Sequence, residues 1–414
     1  VTATDQIGNR SADSLLRDRA AQVIPGGMWG HMRAAAVPDG YPQFFTGGKG
    51  ARVTDTDGRE YIDFMCSWGP IVLGHRHPAV EEAAAARWRG GDCLNGPTDQ
   101  AVELAELLVR TMPSADWALF QKNGTDATTG CVTIARARTG RRRILVARGA
   151  YHGAVPWCSP SLVGVTAEDR AHLAYYEFND IASLEQAVAD AGEDLAGVIV
   201  SAFRHDLGRA LEMPDPAFAT AVRALCDRTG AALILDDVRA GFRLHLGGSW
   251  EQYGVRPDLS AYSKAIANGH PLSAIIGGDA WREAAATVFV TGSFWYTAAP
   301  MAAAIATLNE LHRIDGPAVM RASGERLRAG LAEQAARHGF EVVQSGPPAM
   351  PLMQFVGDTG DRLGEAFCQE ALRRGVYMHH RHNMFLGTAH TAEEIDRALD
   401  VTDSAFSALA RRRG

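Results

Sequence analysis

Apolar and polar positions along this chain follow two periods, and the switches between them mark its elements. Residues 10–23 keep the spacing of an amphipathic helix until Pro25-Gly26-Gly27 stops it. GGKGARVTDTDGREYIDF (47–64) alternates instead, and predicts a pair of short strands around Asp57-Gly58. Helical spacing returns at 78–90 and 98–112. From there helix and strand take turns. TDATTGCVTIARART (125–139) predicts a helix and RRRILVAR (141–148) a strand. ASLEQAVADAG (182–192) predicts a helix, and LAGVIVSA (195–202) a buried strand. FATAVRALCDRTG (218–230) is a helix closed by glycine, followed by the strand AALILDD (231–237) and the short strands LSAYS (259–263) and SAIIGG (273–278). Ala-rich helices at 299–313 and 316–338 and a closing helix at 391–411 complete the pattern.

Apolar strands alternating with helices at this cadence predict an α/β fold, a parallel sheet covered by helices on both faces. The part from about residue 315 reads as a smaller α+β lobe. No internal repeat, low-complexity tract or long linker interrupts the chain, so the lobes are expected to pack closely. At 414 residues it exceeds what one core holds, and two or more domains are expected.

Composition changes this picture mainly by exclusion. The chain is 46% hydrophobic and 21% charged with net charge −7, the profile of a soluble globular protein. A mildly acidic chain without a basic block argues against nucleic acid as a partner, and the RRR runs at 141–143 and 411–413 read as solvated faces. No apolar run approaches the ~18–20 residues of a membrane helix. Residues 1–27 lack the apolar core of a signal peptide, so a cytoplasmic location is expected. Cys66, Cys93, Cys131, Cys158, Cys226 and Cys368 lie far apart, as suits reduced thiols. HRHP (75–78) and HHRH (379–382) have no carboxylate or cysteine at ligand spacing, and no metal is expected.

One residue type is scarce. Of the 41 basic residues only Lys49, Lys122 and Lys264 are lysine, leaving 41 − 3 = 38 arginines. Arg keeps its proton at ordinary pH, whereas a buried Lys can lose it and attack a carbonyl. Lys264 follows a short apolar strand and precedes a glycine-bearing loop. In an open parallel sheet such a position borders the ligand crevice.

Three other features fall at comparable positions. In KNGTDA (122–127), Asn123, Gly124 and Thr125 stand where a helix begins and can cradle an anion, though Asn123 or Thr125 would serve equally as a helix cap. Asp236 and Asp237 end an otherwise apolar strand; buried, they need a cation, a metal or donors, unless they cap the following turn. Strand alternation lets only one of the two face a given pocket. AYHG (150–153) adds a flat aromatic and a histidine after RRRILVAR. An anion cradle, an aromatic face, a buried carboxylate and an amine suit one cofactor, pyridoxal 5'-phosphate, which has a phosphate, a ring, a pyridine nitrogen and an aldehyde.

With these residues assembled, the chain resembles the class III (fold type I) pyridoxal-phosphate aminotransferases, most closely the glutamate-1-semialdehyde 2,1-aminomutases. VIPGGMWGHMRA (23–34), SWGPIVLGHRHP (67–78), GPTDQAVELAELL (96–108), GTDA, ARTGRRRI, YHG, LILDDVRAGFR, YGVRPDL (253–259) and SKAIANGHP carry the likeness over nearly the whole chain. It implies a large cofactor-binding domain over 51–314 with a mainly parallel sheet of the seven-stranded type. A smaller α+β domain would combine residues 1–50 with 315–414. It also implies a homodimer with the active site at the subunit interface, acting on a small-molecule amino donor and a carbonyl acceptor.

Carried over residue by residue, Lys264 resembles the Schiff-base lysine and proton shuttle, and Asp236 the partner of the pyridine nitrogen. Val238 would pack beneath the ring, with Tyr151 on its other side and His152 beside it. Gly124, Thr125 and Asn123 would hold the phosphate. Arg33 matches the aminomutase's substrate-carboxylate arginine, and Trp68 an aromatic wall of the substrate pocket.

The sequence also departs from the family. Asp237 stands for the usual Glu, and Ser201-Ala202 followed by FRHD replaces a Glu-Pro, which brings Arg204 and His205 close. HHRHNMF places His382 or Arg381 where the aminomutase has a glutamate. TGSFWYTAAP (291–300) leaves Thr291, Ser293 and Thr297 as candidates for the hydroxyl lent by the neighbouring subunit, Thr297 the one adopted here. The stretch between YHG and FND is short, where the aminomutase has a lid retaining its intermediate. An open site favours an aminotransferase; the alternatives are an aminomutase, a lyase, racemase or decarboxylase on the same carbanion chemistry and, least favoured, a binding protein that kept the fold without the chemistry. Fewer acidic groups and more Arg and His favour substrates with an anionic or neutral polar end over a distal ammonium.

Overall fold

The computed structural model describes residues 11–412, so the first ten residues of the stretch read for a signal peptide lie outside it, as do Arg413 and Gly414. The chain opens with α1 (Ala12–Val23), whose N-cap Ser11 accepts from the Ser14 amide. It continues into β1 (Phe45–Lys49), β2 (Arg52–Asp55) and β3 (Glu60–Asp63), then α2 (Pro78–Arg89) and α3 (Asp99–Thr111). The large sheet is laid down next as β4 (Trp117–Gln121), α4 (Gly124–Thr139), β5 (Arg143–Ala147), β6 (Leu173–Tyr176), α5 (Ile181–Ala191), β7 (Leu195–Ser201), α6 (Pro216–Thr229), β8 (Ala232–Asp236), β9 (Leu259–Tyr262) and β10 (Ser273–Gly277). After α7 (Arg282–Thr287) and α8 (Ala298–Ile314) come α9 (Gly316–Arg337), β11 (Val342–Ser345), β12 (Leu352–Phe355), α10 (Arg362–Arg373), β13 (Val376–Tyr377) and α11 (Ala392–Arg411).

The large sheet has seven strands in the order β4-β10-β9-β8-β7-β5-β6. Only β10 runs against its neighbours. Period-two alternation then sorts the apolar side chains to two faces. Val198, Val200, Leu233 and Leu235 meet Leu184 of α5 and Phe218, Val222 and Leu225 of α6. Ile199 and Ile234 meet Ala127, Cys131, Ile134 and Ala135 of α4 on the opposite face. Both faces are covered, as the apolar runs require. Asp236, two residues past Ile234, therefore projects on the side of α4.

β3 pairs in parallel with β13 and antiparallel with β2, so the small sheet joins the two ends of the chain. One apolar cluster runs from Leu104, Tyr262 and Leu308 to Phe355, Phe367 and Phe406, consistent with closely packed lobes. Among the described residues no helix is long and apolar enough to cross a membrane, and no group of His, Cys, Asp and Glu could hold a metal. All six cysteines are free thiols.

Candidate active site

The carboxyl edge of the large sheet opens into a cleft of about 250 Å³. It is lined by turns that follow five strands: Asn123, Gly124 and Thr125 after β4, Tyr151, His152 and Gly153 after β5, His205 after β7, Asp236, Val238 and Arg239 at β8, and Ser263 and Lys264 after β9. Most of the residues singled out in the sequence around Lys264 thus line one cleft.

At one end of the cleft α4 begins. Asn123 and Asp126 form a capping box, the Asn123 side chain accepting from the Asp126 amide and the Asp126 side chain from the Asn123 amide. Capping thus occupies the Asn123 side chain, expected to help hold a phosphate. The Gly124 and Thr125 amides make no hydrogen bond among the described residues and sit at the positive end of the helix. Close packing keeps the cradle bare. A Cβ on Gly124 would lie 2.7 Å from Cγ1 of Val238, and one on Gly153, whose φ is 135°, would lie 2.7 Å from Oγ1 of Thr125. Two free amides and the Thr125 hydroxyl suit a phosphate.

Asp236 lies deeper. Its Oδ2 is 2.7 Å from Nδ1 of His152, and its Oδ1 accepts from the Val238 amide at 3.2 Å. His152 is buried and is held by the Thr128 hydroxyl, which donates to its backbone carbonyl at 2.7 Å. Nε2 of His152 is buried without a partner among the described residues. Asp237 turns the other way, accepting from the Ser249 amide at 2.8 Å, and burial pushes its carboxyl up to about 6. Alternation therefore settles which carboxylate serves the cleft.

Lys264 opens a single helical turn with φ 47°, a left-handed conformation costly for a side chain with a Cβ. Burial is the main cause that brings its amine down to about 7. The positive charges of Arg239 and Arg243 push the same way, and Asp236 opposes them. Two glycine-and-turn arrangements fix its surroundings. Gly69, at φ 112°, holds a backbone conformation that favours glycine, and a Cβ there would press within 3.1 Å of Cδ of Lys264 and of the Phe385 ring. Asn268 accepts from the Val72 and Leu73 amides at 2.9 and 2.8 Å, tying the loop after Lys264 to the segment that carries Gly69.

Beside Arg239 the side chains of Trp68 and His382, both expected from the sequence to bind substrate, meet residues from remote parts of the chain, although neither lines the cleft itself. Cys66, Ser67 and Trp68 all have positive φ, and the turn they form presents Trp68 edge-on to His31 at 4.7 Å and to His382 at 5.0 Å. Arg239 donates through Nη1 to Nε2 of His382 at 3.0 Å and to Oδ1 of Asn383 at 2.6 Å. Arg243 is fully buried and donates to the carbonyls of Leu386, Gly69 and Ile71, stapling these segments beneath the site.

Several expected residues lie elsewhere. Arg33 is exposed on a run of single helical turns and does not line the cleft. Arg204 is paired with Asp206 and Glu212, while its neighbour His205 takes the cleft-facing place. Arg381 is exposed and paired with Asp361. Thr297 is the buried N-cap of α8, where its hydroxyl meets the Phe294 carbonyl at 2.9 Å and the Lys122 amine, and it does not reach the cleft of its own chain. Arg239 itself was not singled out from the sequence, although it directly follows Val238.

Comparison with known proteins agrees with this geometry. The family model for class-III aminotransferases matches residues 35–405. The aminopentol aminotransferase of Sphingopyxis macrogoltabida is 47% identical over 404 residues, covering 98% of this chain and 95% of that protein. A glutamate-1-semialdehyde 2,1-aminomutase of Desulforudis audaxviator is 35% identical over 416 residues, covering 94% and 95%. The solved pyridoxal-phosphate internal aldimine form of the FumI protein of Sphingopyxis sp. MTA144 superposes with a TM-score of 0.95 at 47% identity, covering 96% of each chain.

Proposed function

The chain belongs to the class-III aminotransferases, and from that premise we propose how the residues of its cleft share the work of a pyridoxal-phosphate-dependent amino transfer. Bound pyridoxal phosphate supplies an aldehyde that exchanges with amines and a ring that takes up the electron pair left when a carbon loses its proton. The chain's own residues do the rest.

Lys264 supplies the amine. An amine near 7 is largely neutral at slightly alkaline pH, so it attacks without first losing a proton, and afterwards its Nζ can carry the proton removed from a substrate carbon. Asp236 would face the ring nitrogen and favour its protonated form, and His152 keeps the Asp236 carboxylate oriented. The free Gly124 and Thr125 amides, with the Thr125 hydroxyl, take the phosphate, and Val238 and Tyr151 line the space where the ring fits. The observation that carries this reading is the convergence of Lys264, Asp236 and the α4 cradle in one cleft.

The relative at 47% identity is named for aminopentol, and we assign this chain a donor of the same kind, an amine bearing hydroxyl groups. The half-reaction tests that. Holoenzyme mixed with amino alcohols, α-amino acids or glutamate-1-semialdehyde is followed for loss of the lysine-bound cofactor absorbance and for free carbonyl product. Amino alcohols are expected to react fastest. Turnover of the semialdehyde alone, without free carbonyl product, would favour an aminomutase.

The assembly proposed is a homodimer with the cleft at the interface. Phe289 is 94% exposed and Phe294 66% exposed, close in sequence to Thr297, an apolar surface that a second copy would cover. Sedimentation should give twice the chain mass; a monomer with full activity would overturn this assembly.

A further inference from the structure

Arg239 is unlike Arg243, Arg204 and Arg381, none of which is among the residues lining the cleft. Arg243 donates to three carbonyls, Arg204 is paired with two carboxylates, and Arg381 is paired with one. Arg239 lines the cleft beside Lys264, and among the described residues no carboxylate lies within ion-pair distance of it. Its anchors are neutral. Nδ1 of His382 donates to the Asn383 carbonyl at 2.9 Å, which leaves Nε2 as the lone pair that accepts from Nη1 of Arg239. Burial, together with the charge of Arg239, holds His382 well below its ordinary pKa, so the anchor stays uncharged. The Asn383 side-chain oxygen accepts the second Nη1 proton.

Both anchors therefore use the same nitrogen. The opposite edge of the guanidinium, Nε with Nη2, is left whole. Nε is buried without a partner, and Nη2 makes no hydrogen bond among the described residues. That edge matches a carboxylate in bidentate geometry. A half-buried cation with an unused fork and a buried, unpartnered Nε is costly unless an anion arrives to meet it.

We propose that Arg239, held by His382 and Asn383, is the receptor for the carboxylate of a small 2-oxo acid, which takes up the amino group in the second half of the reaction. This rests on the aminotransferase reading of the same cleft and adds the acceptor class to it. It also moves the carboxylate-binding role expected for Arg33 to a residue inside the cleft. Arg239 recognises, and Lys264 reacts.

The test compares two acceptors that differ only in charge, pyruvate and pyruvamide, with one amine donor and the holoenzyme. The wild type should prefer pyruvate. In Arg239→Gln, KM for pyruvate should rise roughly 30- to 100-fold, the scale of a lost charge-assisted pair, and the preference over pyruvamide should fall by a similar factor. Arg239→Lys, which keeps the charge without the fork, should lose less. A second readout needs no turnover. Calorimetry should show propionate binding to the resting wild-type holoenzyme more tightly than propionamide, a difference that Arg239→Gln abolishes.

An equal loss for both acceptors overturns the proposal, as does a wild type without carboxylate preference. An intact preference in Arg239→Gln with an altered pH dependence of the resting absorbance also overturns it, and assigns Arg239 to the cofactor instead. If the glutamine variant does not fold, the wild-type calorimetry and the lysine variant still decide. A wild type that releases no carbonyl product from any amine contradicts the aminotransferase reading itself, a distinct outcome.

Discussion

The two ends of the cleft are built by different means. The cofactor end is assembled from strand termini and one helix start, where the sheet brings Lys264, Asp236 and Gly124 to a common edge. Each has a partner or a packing constraint close by: His152 for Asp236, Val238 for Gly124 and, from a segment outside the sheet, Gly69 for Lys264. The recognition end joins Arg239 to His382, Asn383 and Trp68, from three separate stretches of chain, through side-chain hydrogen bonds and edge-on rings. In the proposed reading the cofactor chemistry sits on the sheet, and substrate recognition sits on turns and segments joined to it by side-chain contacts.

Substitutions should separate the two ends. The largest loss is expected from Lys264→Arg, which puts a permanent charge in place of an amine that, among the described residues, is the only one lining the cleft. Its half-reaction rate should fall on the order of 10⁴-fold or more, with no lysine-bound cofactor band. Asp236→Asn should lower kcat by roughly 10²–10³-fold for every substrate alike, since it removes a charge that acts on the cofactor. Substitution of Arg239 should fall below both and should be selective, changing KM for a charged acceptor more than kcat. A uniform effect there would erase the distinction between the ends.

The pH dependence tests how far the ends are coupled. Capture of cofactor by the apoprotein requires neutral Lys264, so its rate should rise with pH and level off above about 7. Arg239 is one of the causes that lower this amine, so Arg239→Gln should move the bend upward, by less than burial contributes. Stability follows the same linkage. Between about 7 and 10.5 the unfolded chain holds a proton on this lysine that the folded apoprotein does not, so apoprotein stability should rise with pH across that window. Thermal melts of the apoprotein in matched buffers would read it. The smallest effect is expected from Gly124→Ala, whose Cβ must displace Val238; cofactor affinity should weaken by about 10-fold, measured by fluorescence titration.

Much of the cofactor end was legible in the sequence because its signals are rare. Lysine is scarce in this chain, and a pair of carboxylates closing the apolar run ALIL is conspicuous. The helices at 124–139, 216–229 and 298–314 and the strands at 195–201 and 232–236 stand where the periodicity predicted them. Trp117–Gln121 was not read as a strand, since three of its five residues are only partly buried and it carries no alternation. Leu173–Tyr176 lies at the sheet's edge, and Arg362–Arg373 was read only as part of a lobe.

The recognition end was less legible for physical reasons. Arginine is common here, so Arg239 carried no signal of scarcity. Strand alternation, which separated Asp236 from Asp237, ends with β8 and says nothing about the turn that aims Arg239. Likewise the choice between Arg204 and His205 is made by a backbone bridge from Arg204 to Glu212, a contact that no local pattern announces.

The most direct test is a single-turnover half-reaction without acceptor, comparing wild type with Lys264→Arg. With an amino-alcohol donor the wild type should release one equivalent of free carbonyl product per cofactor while the lysine-bound absorbance disappears, and the variant should release none on that timescale. Comparable product release by Lys264→Arg would contradict the account at its centre.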